Sequence, residues 1–224
     1  MRSRALDKSA LILPTALLFY TALIITTFSM IFYARDRFQA PPSLIGWLAA
    51  LPHLCYFGGC FALTPLYRLL PPRHSLVLAT AAAAACLVGM LLVKTLPPLF
   101  LLYGTFGLSM ALFWPPLMGW LSSGKEREEL NRTLGHFNLA WNGGNIVAPA
   151  VAGYLLQIGI TAPFKTAALI MASLCLALLT ASLALPRVRE DRERAPSTAE
   201  EGEAQDHSTP LRIPAWIGLF ASYV

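Results

Sequence analysis

Charge is absent from most of this chain. Ser9–Tyr33, Leu44–Tyr67, Ser75–Val93, Leu99–Ser123, Gly135–Ile158 and Thr166–Leu185 contain no Asp, Glu, Lys or Arg at all. A soluble helix keeps one polar face, and six uniformly apolar runs leave a soluble domain of this size nowhere to hide them, which excludes a soluble fold. Cysteine is also scarce. Cys55, Cys60, Cys86 and Cys175 all fall inside apolar runs, with neither zinc spacing nor the loop positions of a disulfide framework, so they read as small packing residues. No small-residue cleavage site follows the first run, which is about twice the length of a signal-peptide core and reads as a retained span. Basic residues are not gathered on a folded face, which excludes a nucleic-acid partner despite the net charge of +5. Nucleophile–base pairs, metal-ligand clusters and phosphate loops are missing as well, so the chain is read as a non-enzyme without cofactor or metal.

What is present is a set of membrane-length segments. A spanning helix needs about 20 apolar residues at about 1.5 Å of rise each, and every run meets that measure. Placing the N-terminus in the cytoplasm puts 13 of the 17 Lys and Arg residues inside and leaves Arg35, Arg37, Lys94 and Lys165 outside. Retention of cationic loops in the cytoplasm therefore predicts an integral, multi-pass protein of the cell membrane with a cytoplasmic N-terminus. The Asn131-Arg132-Thr133 glycosylation pattern then lies on the wrong side to be used.

Residues 1–185 form the predicted six-span unit. Residues 186–211 are dense in charge, Ala, Ser, Thr and Pro and predict a solvated cytoplasmic linker. Residues 212–224 open a second apolar stretch of about half a spanning length, read as the start of a seventh span and hence as the first half of a longer protein. Leu13-Pro14 with Tyr20-Thr21 recurs as Leu96-Pro97 with Tyr103-Gly104-Thr105, the trace that a three-plus-three internal repeat would leave, although Pro and Tyr are also common at membrane interfaces.

The fifth run carries the most pattern. Gly144, Ala148 and Ala152 form a small-residue ridge at four-residue spacing, flanked by Gly135 and Gly153, where another helix can approach closely. About a quarter turn away, Asn138, Asn142 and Asn145 share a face with Trp141 at its edge. Pro149 lies on that stripe and takes away the donor for the Asn145 carbonyl. Aligned amides beside a freed carbonyl suit a water-filled or solute-lined cavity; helix–helix glue is the competing reading. In the fourth run Pro115 and Pro116 deprive the Ala111 and Leu112 carbonyls of their donors, which predicts a kink or opening. His53, on a face with Tyr56 and Cys60, is the one histidine near mid-membrane, and Tyr20, Thr27 and Tyr103 add polar groups to the first and fourth runs. The third and sixth runs offer almost nothing polar and are expected to face lipid.

With these residues in view the whole chain resembles the amino-terminal half of the major facilitator superfamily. The fifth-run pattern Gly135, Gly144, Ala148, Pro149, Ala152, Gly153 is similar to the G-x8-G-x3-G-P-x2-G-G motif of antiporter members, with Ala twice in place of Gly. Between the second and third runs the family's G-x-L-A-D-R-x-G-R-R loop is represented by Arg68 and Arg73 without its acidic residue, and the fourth-span arginine of many proton antiporters is replaced by about Tyr103. The resemblance implies an all-α membrane protein, a six-helix bundle built as a 3+3 repeat. It also implies a secondary transporter that moves a small solute by alternating access, with a coupling ion as a further ligand and a leaning to export or antiport. Spans one, two, four and five would face a cavity shared with a second six-helix half, lipid covering the rest. Amides, aromatics and one histidine without fixed charge point to a neutral or weakly polar solute. A membrane sensor or assembly factor on the same scaffold is the alternative of another class. A channel is disfavoured, because polarity concentrates in one run.

Overall fold

The computed structural model describes residues 8–122 and 127–184, so the expected linker at 186–211 and the seventh run at 212–224 lie outside the described residues. Among the described residues the regular elements are helices: α1 (Lys8–Phe38), α2 (Pro42–Ala62), α3 (Thr64–Leu69), α4 (Pro72–Leu92), α5 (Leu96–Ser122), α6 (Arg127–Ile158) and α7 (Ala162–Ala184). Proline punctuates them. Pro41 and Pro71 are held extended (ψ 156° and 145°), and Pro42 and Pro72 then begin α2 and α4, where a missing N–H costs nothing. The second run is one element in sequence but two in space. Leu63 (φ −89°, ψ 2°) separates α2 from α3, because Pro65 has no N–H to carry the ladder onward.

Among the described residues five helices are long and apolar enough to cross a membrane: Ile12–Phe38 of α1, α2, α4, α5 and Ala162–Leu183 of α7. With 32 residues α6 has ample length, but its asparagines and its charged first turns reduce its hydropathy below that of the others. Arg35 and Arg37, counted as loop charges in the sequence, belong to the last turn of α1.

All seven helices belong to one compact unit. α1 packs on α6 and α7, α5 packs on α2 and α4, and α4 and α7 pack on each other. The seams are lined by Phe19, Ile25 and Met30 of α1, Leu76 and Leu87 of α4, Phe106 and Phe113 of α5 and Phe164 of α7, all under 3% exposed. Large apolar side chains such as Leu92, Leu101, Ile146, Leu169 and Leu183 point outward, as lipid-facing surfaces require. α4 and α7 have such faces, but α2 is the least covered of the spans, with Trp47, Leu54, Phe57 and Phe61 exposed.

Glycine sets the closest crossings. A Cβ at Gly107 of α5 would run into the Pro52 backbone of α2, and one at Gly59 of α2 would stand 2.7 Å from Leu108 and 2.9 Å from Ala111. Several threonine hydroxyls along the spans are satisfied locally: Thr21, Thr26, Thr27, Thr80 and Thr105 each donate to the carbonyl four residues back.

Of the kink or opening expected at the double proline, the opening is absent. α5 runs through Pro115 and Pro116 without interruption. The two orphaned carbonyls have found donors elsewhere: the Tyr67 hydroxyl gives a 2.8 Å bond to Ala111 and the Ser75 hydroxyl a 2.7 Å bond to Leu112. Tertiary hydroxyls take the place of the missing amides, so the helix does not need to open.

Candidate solute-facing site

The two stripes of α6 separate cleanly in space. Ala148 and Ala152 are fully buried, and Gly144 is buried against α1, where a Cβ would come within 3.3 Å of Tyr20 and Thr21 and 3.5 Å of Leu17. Gly135 and Gly153 instead have open space in front of them. Because Gly144 has no side chain, Tyr20 can settle against α6 with its ring 4.7 Å from that of Trp141.

That contact belongs to an aromatic cluster joining three helices. Trp114 of α5 stacks on Trp141 of α6 at 5.2 Å and meets Tyr20 edge-on at 6.1 Å, while Phe137, one turn before Trp141, closes on both indoles. Phe19 lies flat on Phe113 at 3.6 Å and edge-on to Trp114. The edge-to-face pairs and the offset Trp114–Trp141 stack add about 0.5–1.5 kcal/mol each beyond buried area, so the α1–α5–α6 junction is held firmly.

On the uncovered face of α6 stand Asn138, Asn142 and Asn145, all exposed, with Trp141 partly exposed beside them. Asn142 donates through Nδ2 to the Asn138 carbonyl at 2.8 Å. Asn131, one heptad before Asn138, continues the same stripe and is also exposed. Four amides therefore follow one line over about 21 Å of helix. Pro149 lies within the continuous α6 on that line, partly covered.

The remaining sequence candidates are distributed more widely. His53 is exposed on α2, its Nδ1 3.3 Å from the Ala49 carbonyl, and Tyr56 is partly buried one turn on. Thr27 is partly buried and bonded to Leu23 and Ile24 of its own helix. Tyr103 is 1% exposed, with its ring along Phe106. Arg68 falls in α3. Arg73 is the second residue of α4, and its Nε and Nη1 are buried without a hydrogen-bond partner among the described residues. No group of three His, Cys, Asp or Glu placed to hold a metal ion is found among the described residues.

The structure thus joins Tyr20 to Trp141 and adds Trp114, Phe113, Phe19, Phe137 and Asn131, which sequence reasoning had not placed in the site. Asn131 could have been found by continuing the asparagine spacing seven residues back. The aromatic partners carried no signal, because a ring inside an apolar run is no different in pattern from a lipid-facing one.

Among known proteins, the family model described as Major Facilitator Superfamily matches residues 12–224. No curated protein matches the chain.

Proposed function

From the chain's membership of the Major Facilitator Superfamily, which makes it a multi-pass membrane transporter, we propose that it carries a small uncharged or weakly polar solute by alternating access, with the exposed α6 stripe contributing to the pathway. The observation that carries this reading is the pairing of opposites on one helix: a buried small-residue ridge that fixes α6 to α1, and an amide line left uncovered beside the Tyr20–Trp114–Trp141 rings. An amide at membrane depth costs on the order of 1–3 kcal/mol unless it meets a partner, and an amide is donor and acceptor at once, so water and a hydrogen-bonding solute satisfy it most directly. Asn138, Asn142, Asn145 and Trp141 are the contacts we assign, with Tyr20, Thr27, His53 and Tyr56 as secondary ones and Tyr103 as packing.

Helix pairing supports a 3+3 arrangement. α1 on α6 has its counterpart in α5 on α2, α1 on α7 in α5 on α4, and α4 on α7 is its own counterpart. The reading further includes a second six-helix half, a cytoplasmic N-terminus in the cell membrane, and an exporter or antiporter cycle with a coupling ion. Reconstitution of the full-length protein in proteoliposomes tests it, with counterflow of a panel of radiolabelled neutral solutes. Asn142→Leu and Asn145→Leu should keep expression near normal and reduce counterflow about tenfold or more. Misfolding of both variants, with normal transport by the folded remainder, would make the amides structural.

A further inference from the structure

The bonds from Tyr67 and Ser75 are more than repairs of two missing helical contacts. Consecutive prolines remove consecutive donors, and the freed carbonyls of Ala111 and Leu112 sit in α5 residues that are 0% and 9% exposed, where water does not replace them. The two replacement donors come from different elements. Tyr67 is in α3 and Ser75 in the first turn of α4, on either side of a turn stiffened by Pro71 and Pro72. On the side-chain side, the very next α5 residues are Phe113 and Trp114, stacked on Phe19 and Trp141. One short stretch of α5 thus holds the aromatic cluster by its rings and the α3–α4 turn by its backbone.

We propose that Tyr67 and Ser75 act as a hydroxyl clamp that governs the bending of α5 at its double proline, so that the Phe113–Trp114 end of the aromatic cluster moves only with the α3–α4 turn. Both are positioning residues: they touch no solute and act through the α5 backbone. Opening the clamp leaves two carbonyls without donors in an apolar setting, so the proline-weakened segment stays closed while the turn is in place and gains freedom when the turn withdraws. Arg68 and Arg73 lie in the elements that bear the clamp, and a load on that turn is passed directly to α5.

The test is amide hydrogen exchange of Leu117–Leu121 in the intact, detergent-solubilised chain, and it needs no solute, so its outcome is independent of the pathway assigned to α6. Tyr67→Phe combined with Ser75→Ala should accelerate exchange at least tenfold. Adding Pro115→Ala and Pro116→Ala supplies the N–H groups that Ala111 and Leu112 lack, and should return exchange to the wild-type rate with both hydroxyls still absent. Unchanged exchange without the hydroxyls, or equal acceleration with and without the prolines, overturns the clamp. If the hydroxyl-free variant does not fold, the proline replacements should restore folding. A failure to do so overturns the proposal as well.

Discussion

Gly107 of α5 lies directly on the backbone of Pro52 of α2, so closely that a β-carbon at position 107 would meet the proline carbonyl and Cα. Backbone cannot move aside as a side-chain tip can, so the crossing of these two helices depends on one missing methyl. The neighbouring Gly59 contact, against Leu108 and Ala111, works from the opposite helix. In lipid, where apolar surface gives helices no reason to leave one another or to join, such close approach supplies the attraction.

Gly107→Ala should therefore separate α2 from α5. The expected loss is at or above the upper end of the roughly 1–3 kcal/mol typical of overpacking, read as a lower thermal midpoint and a smaller monodisperse fraction in detergent. Gly143→Ala is the control. Nothing stands within 4 Å of a Cβ there, and the gain in helix propensity makes it neutral to slightly stabilising.

The end of α4 should show an ordered pair of effects. Tyr33, fully buried, donates to the Met90 carbonyl at 2.7 Å and accepts from Arg37 at 2.6 Å, while Arg37 reaches the carbonyls of Leu91 and Val93 at 3.3 and 3.2 Å. These atoms belong to the end of α4, where carbonyls lack intrahelical donors and a cation is favoured. Tyr33→Phe strands a buried acceptor and should cost about 1–3 kcal/mol. Arg37→Met removes two exposed bonds and one part-buried bond to a hydroxyl that keeps its own acceptor at Met90, and should cost about 1 kcal/mol or less. Thermal melts that reverse this order would refute the assignment.

Gln39 closes α1 at φ 52°, the left-handed region, with its amide and that of Ala40 bonded to the Arg35 and Ala34 carbonyls. Stability should follow the order Gly, Gln, Val at this position. Gly matches or exceeds the native residue, and Val falls about 1 kcal/mol below it because a β-branched side chain crowds this conformation. Equal melting of the three variants would show that the turn relaxes freely.

Legibility in the sequence follows the physics of each feature. All six uncharged runs could be read as membrane-length helices, because a lipid-facing helix must be predominantly apolar and that pattern needs no partner to be seen; among the described residues five of them fall in helices apolar enough to cross a membrane. The fifth run, Gly135–Ile158, is a helix too, but the asparagines that marked it as a candidate site are the same residues that weaken its apolar character. The break at Leu63 depended on a single proline inside an apolar run. Tyr67 and Ser75 were invisible as clamp residues, because a bond from a side chain to a backbone 44 or 37 residues away leaves no periodicity. For the same reason the prolines suggested a kink or opening: the loss of donors was legible, their replacement was not.

The asparagine line of α6 also bears on how the protein is made. A helix with four amides along one side partitions less readily into bilayer than an all-apolar one, since amides must leave water and, among the described residues, only Asn142 has a bond along the line, to the Asn138 carbonyl. Its neighbour in the finished bundle is α1, the first of the described helices, whose Leu17, Tyr20 and Thr21 receive Gly144. The seam that α1 offers to Gly144 is therefore completed only by a helix that three other long helices separate from it along the chain, so closure of this part of the bundle depends on α6 rather than on the neighbours of α1 in sequence.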